Sequence, residues 1–142
     1  MHLDESLAPF AAAWGLKRAG HKVNHATREA LNLCLREGRV ILKENFLWPT
    51  GLLKVDVRVP VPGVPESMRK PEYIPPEEIE SAMRLVAQYA FGISIESLIV
   101  ETARVFGINH TGGKVRERVL EAYKKLLRER KLTCTNDIVT SP

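Results

Sequence analysis

Cysteine is nearly absent from this chain of 142 residues: there are two, Cys34 and Cys134, and no paired C-x-x-C spacing. That excludes a disulfide scaffold and a thiolate metal centre, and reduced thiols in an intracellular protein are expected. Long apolar runs are missing too. None approaches the roughly 20 residues of a membrane-spanning helix. The opening MHLDESLAP lacks the features of a signal peptide. These absences predict a soluble, cytoplasmic protein without a membrane partner.

Arrangements for catalysis are equally thin. The glycines of HTGGK, 110–114, do not match a phosphate-binding loop, which needs a preceding strand and a longer turn. His21 and His25 are four apart, as metal ligands on a helix can be, but no acid or cysteine sits where it would complete a site. They read as helix-surface histidines. Ser6, His2 and Asp4 are sequence neighbours near the terminus and give no sign of a triad. Trp14 and Trp48 are assigned to the core rather than to base stacking, and Cys34 to an apolar helix face. The chain reads as a non-enzyme with no cofactor and no metal.

What is present is the composition of a globular protein, 44% hydrophobic and 27% charged, with a moderately basic net charge of +4. It contains an internal repeat. Residues 15–37, GLKRAGHKVNHATREALNLCLRE, and 107–129, GINHTGGKVRERVLEAYKKLLRE, align without a gap at an offset of 92. Over 11–50 against 103–142, 10 of 40 positions are identical. Each copy is a glycine, a short polar turn ending in glycine, and a long amphipathic helix.

Taken in order, Leu7, Phe10, Ala11 and Trp14 recur at helical spacing, with Gly15 placed to end the helix. A second helix is predicted over 21–37. Val23, Thr27, Ala30, Leu31, Cys34 and Leu35 share one face; Asn24, Arg28, Asn32 and Arg36 share the other; Gly38 stops it. RVILKENFLW, 39–48, reads as a hairpin turning at Glu44 and Asn45. Val55, Val57, Val59 and Val61 alternate with other residues and predict one strand, kept to an edge by Pro60 and Pro62. The proline-rich 62–76 predicts an extended linker. Pro75, Pro76, Glu77 and Glu78 open a further helix. A short strand over 93–95, a helix ended by Gly107, a long helix over 114–130 and a hairpin at Asn136 and Asp137 complete the chain.

That order predicts an α+β, mainly helical fold. It consists of two winged-helix units, helix-turn-helix with a β-hairpin wing, joined by a strand and Pro-rich linker. The boundaries are 1–51 for a unit lacking its first helix, 52–75 for strand and linker, and 76–142 for a complete unit. At the offset of 92, residues matching 78–92 would precede Met1. A chain cut from a longer protein, or a gene beginning mid-domain, is expected. So is an open groove at Leu7, Phe10 and Trp14 that would bind a partner or support a homodimer.

In a helix-turn-helix the second helix presents its N-terminal side chains to the major groove, while turn and wing meet phosphate. The DNA-binding candidates are Lys114, Arg116 and Arg118 in one copy and Lys22, Asn24 and Arg28 in the other. Lys17, Arg18 and His110 in the turns and Lys43 in the wing add backbone contacts. Residues 102–142 carry nine Lys or Arg against four acids, and 10–51 carry seven against three. Glu29 and Glu121, on the outward side, oppose phosphate. The competing reading is a protein-docking module whose basic side chains form a solvated face.

Five stretches carry a resemblance: LREGR at 35–39 with NFLWP at 45–49, VRVP at 57–60, RKP at 69–71 and IPPEEI at 74–79. Together they resemble an uncharacterised domain at the C-terminal end of large bacterial and archaeal superfamily 1 helicase-like proteins, which often also carry an endonuclease-like segment. The resemblance covers about 10–140. It implies an accessory module of a parent protein whose helicase and nuclease domains carry the ATPase and nuclease activities and are its expected partners, while DNA as a partner is expected from the fold. The second wing departs from the pattern, since Thr140 and Ser141 stand where the first copy has Trp48 and Pro49.

Overall fold

The computed structural model describes residues 1–6 and 20–142. The chain divides into two compact units, Met1–Lys54 and Val55–Pro142. The architecture is α+β and mainly helical, with one two-stranded and one three-stranded sheet. No helix among the described residues is long and apolar enough to cross a membrane. Leu7, Phe10, Trp14, Lys17 and Arg18 lie outside the described residues.

The second unit contains α2 (Pro76–Ala90), β3 (Ile93–Ser94), α3 (Ile95–Val105), α4 (Gly113–Arg128), β4 (Thr133–Thr135) and β5 (Ile138–Thr140). Apolar residues three and four apart turn one face of each helix inward. Ile79, Met83 and Ala87 of α2 meet Leu98 and Ile99 of α3 and Val119, Ala122 and Leu126 of α4 in one core. Val139 of β5 closes it from the sheet side. Pro76 opens α2 at a position where a missing N–H costs nothing. The Ser94 hydroxyl accepts the Ser97 N–H at 3.2 Å and caps α3. The sheet is antiparallel in the order β3-β5-β4. Asn136 and Asp137 both take positive φ, 49° and 62°, which gives the tight β4–β5 hairpin the twist of its strands.

The strand expected over 55–61 does not form. Val57 packs on the core of the second unit, but the backbone here answers to a side chain rather than to a neighbouring strand. The Glu78 carboxylate, 1% exposed, accepts the Arg58 N–H at 2.8 Å and the Arg58 guanidinium at 3.1 Å. It also accepts two bonds from Arg69, at 2.6 and 2.9 Å. Arg69 donates in addition to the Arg58 carbonyl at 2.9 Å. Ser67 accepts the Val61 N–H at 2.7 Å and closes the loop between them. The expected linker is therefore a strap pinned to its own unit, with short 3-10 turns at Pro65–Ser67 and Pro71–Tyr73. Gly107 (φ +77°) lies against it, so close that a Cβ would stand 3.1 Å from Pro60 and 3.2 Å from Met68.

The first unit contains α1 (His21–Arg36), β1 (Val40–Lys43) and β2 (Phe46–Pro49). The repeat seen in the sequence is a repeat of structure. Shifted by 92, the bounds of α1 are those of α4. The pairs Ile41↔Trp48, Leu42↔Leu47 and Lys43↔Phe46 become Thr133↔Thr140, Cys134↔Val139 and Thr135↔Ile138. Glu44 and Asn45 share the positive φ of Asn136 and Asp137. The bridge His2↔Phe46 likewise corresponds to Ser94↔Ile138. The His2 ring meets Phe46 edge-on at 5.1 Å.

Candidate nucleic-acid interface

Helix α4 follows the turn that contains His110 and carries no side-chain cap at Gly112. Its inward face, Val119, Ala122, Tyr123 and Leu126, is buried. Burial and hydrogen bonding with Cys134 push the pKa of the Tyr123 hydroxyl up to about 12. The outward face is a narrow stripe. Lys114, Glu117, Glu121, Lys124 and Arg128 are all exposed, and at 3.6 residues per turn they fall within an arc of about 80°. None of the five makes an ion pair or a side-chain hydrogen bond with a described residue.

The expected contact residues divide. Lys114 and His110 are exposed as expected. Arg116 is spoken for: it forks onto Glu96 at 2.6 and 2.9 Å, and this hydrogen bonding holds the Glu96 carboxyl below the usual carboxylate range. Arg118 does not belong to the outward face. Its two terminal nitrogens donate to the carbonyls of Pro71 and Ile74, and burial pushes its pKa below the ordinary arginine value. It sits 40° from Lys114 on the side nearer the core, where a long side chain folds back instead of reaching out. Lys125 is likewise committed, at 2.8 Å from Glu80 of α2.

In the first unit Lys22, Arg28 and Lys43 are exposed. Asn24 is not presented outward: its Oδ1 is buried and has no hydrogen-bond partner among the described residues. His25 lies 3.2 Å from Glu29, one turn along α1. Among the described residues no group of three His, Cys, Asp or Glu could hold a metal ion. Lys124 and Arg128, not among the expected contact residues, continue the Lys114 stripe at i+10 and i+14, a spacing legible in the sequence.

A second surface of Val55–Pro142 is apolar. Leu85 and Tyr89 lie one turn apart on the outer side of α2, and Phe91 follows in the left-handed region (φ 55°) with 92% of its surface exposed. Ile138 is exposed beside Gly92, 3.3 Å from where a Cβ would be. Exposed apolar groups gathered in this way mark interaction surfaces more often than chance exposure does. Compared with models of protein families, with curated proteins and with solved structures, the chain gives no match.

Proposed function

We propose that the chain is a non-catalytic, DNA-binding accessory module of a helicase-like protein, built from two winged-helix units. In this reading α4 and the turn before it meet the phosphates of duplex DNA. The observation that carries it is the outward stripe of α4. Lys114, Lys124 and Arg128 are exposed on α4, beside Glu117 and Glu121, and make no ion pair with a described residue, while Arg116, Arg118 and Lys125 are engaged by their own fold. The order helix, strand, helix, turn, helix, hairpin supports the winged-helix assignment. The short motifs at 35–49 and 57–79 support the helicase-like parent.

Fluorescence anisotropy of a labelled duplex against salt concentration tests the proposal. Phosphate contacts make log K fall linearly with log salt, by about 0.9 per contact. Replacing Lys114 and Lys124 together by Ala therefore reduces the slope by about two units. An unchanged slope, or no binding at low salt, refutes it.

The exposed Leu85, Tyr89, Phe91 and Ile138 favour a second reading, in which the unit docks on the helicase or nuclease body of the parent. Light scattering and binding to the isolated parent domains separate this from the first. Loss of docking on Tyr89→Ser, with DNA binding intact, supports it.

A further inference from the structure

The repeat lets one copy of the structure be compared with the other. In Val55–Pro142, α2 packs along α4 and on β5, and in the shared core Ala122, Leu126, Leu132 and Val139 are at most 4% exposed. Shifted by 92, these positions are Ala30 and Cys34 on α1, Val40 on β1 and Leu47 on β2. The residues stay apolar, but Ala30 is exposed and the other three are only half-buried. The positions that match α2 itself fall before residue 1 at this offset. Among the described residues of Met1–Lys54 the helical elements are α1 and the 3-10 turn Asp4–Ser6. The rim of the groove differs at one point. Lys125 of α4 pairs with Glu80 of α2 at 2.8 Å, whereas its counterpart on α1 is Leu33, 49% exposed.

We infer that the first unit accepts, against α1 and β2, an amphipathic helix of a partner polypeptide built like α2, with an apolar residue where α2 carries Glu80. The second unit specifies the occupant, because it fills the equivalent groove with such a helix: Ile79, Met83 and Ala87, four apart, enter its core. Charge specifies it further. A glutamate opposite Leu33 would lose water without gaining the cation that receives it in the other copy, which is unfavourable. A leucine there covers Leu33 and removes apolar surface from water. An apolar helix laid into an apolar groove is a recurrent mode of recognition. The groove shares no residue with the outward stripe of α4, and its occupation requires no DNA.

Cys34 lies in the groove, and Cys134, exposed in the other unit, is an internal control. Alkylation of the whole chain by iodoacetamide, followed by mass spectrometry, therefore reads occupancy. The probe is a synthetic peptide of residues 74–92, in its native form and with Glu80→Leu or Met83→Asp. The Glu80→Leu peptide is expected to slow alkylation of Cys34 and leave Cys134 unchanged, at a concentration roughly fivefold below that needed by the native peptide. The Met83→Asp peptide, with a charge on the inward stripe, gives no protection. Leu33→Lys in the chain changes an exposed position, restores the arrangement of α4 and reverses the preference in favour of the native peptide. If no peptide slows Cys34, if all three do so equally, or if Leu33→Lys leaves the preference unchanged, the inference is wrong. Two results with the free chain overturn it as well. A Cys34 that is already unreactive means that the chain fills its own groove, and a rate that falls with protein concentration means that a second copy does.

Discussion

Replacing Glu78 by Gln removes the charge that pins the strap, and its cost follows from the geometry. The carboxylate is buried and accepts four hydrogen bonds, two from Arg69 and two from Arg58. Arg69 is nearly as buried, at 9% exposure, so it is left as an uncompensated cation. Breaking a buried pair in this way costs about 3–5 kcal/mol. Arg58 keeps nearly half of its surface in water and rehydrates readily, so the low end, about 3 kcal/mol, applies. For a unit of this size each kcal/mol moves Tm by about 4–8 °C, so a drop on the order of 15 °C is expected. Calorimetry on the whole chain measures it. Hydrogen exchange locates it, because the Arg58 and Val61 amides lose protection before the core of α2 does. A shift under about 3 °C, with those amides still protected, would refute the clamp.

Three further outcomes concern Glu78 itself, Arg118 and Phe91. Burial alone would raise the Glu78 pKa, but the bonds from Arg69 and Arg58 outweigh it and hold it below the ordinary value. Its stabilisation is therefore complete above the unfolded carboxylate value of about 4.3 and is lost as pH falls through the folded one. Denaturation midpoints measured against pH should fall in that acid window, and less steeply in Glu78→Gln. Arg118→Met leaves the carbonyls of Pro71 and Ile74 without their donor and should cost about 1–3 kcal/mol in urea unfolding, with the salt slope of duplex binding unchanged. Phe91→Gly relieves a left-handed backbone and should raise stability by roughly 0.5–1 kcal/mol. A loss of stability would mean that the ring packs within the unit.

Local pattern carried most of the fold. Periodicity located α1, α2, α3 and α4, and the paired residues Glu44–Asn45 and Asn136–Asp137 marked both hairpins, because tight turns demand positive φ in either context. The repeat was legible because the same physics had been written twice. The strap was not. Alternating valines over 55–61 look like a strand, but what orders them is a carboxylate some twenty residues away, and a window of sequence holds no information on that pairing. Glu78 shows the same limit from the other end: a first-turn acid suits the helix dipole, yet it is buried. Arg118 and Asn24 were misjudged because both stand at the margin between faces, where pattern does not fix the direction of a side chain. Lys124 and Arg128 lie beyond the N-terminal turns, to which the helix-turn-helix pattern assigns its contacts.

The claim that α4 is the surface that meets DNA is tested most directly by amide chemical-shift mapping of the isotope-labelled chain titrated with a short duplex at low salt. If α4 meets DNA, shifts are concentrated at His110, Lys114, Glu117, Glu121 and Lys124 and collapse as salt is added. Shifts centred on Leu85, Tyr89, Phe91 and Ile138, or none anywhere at low salt, would contradict it.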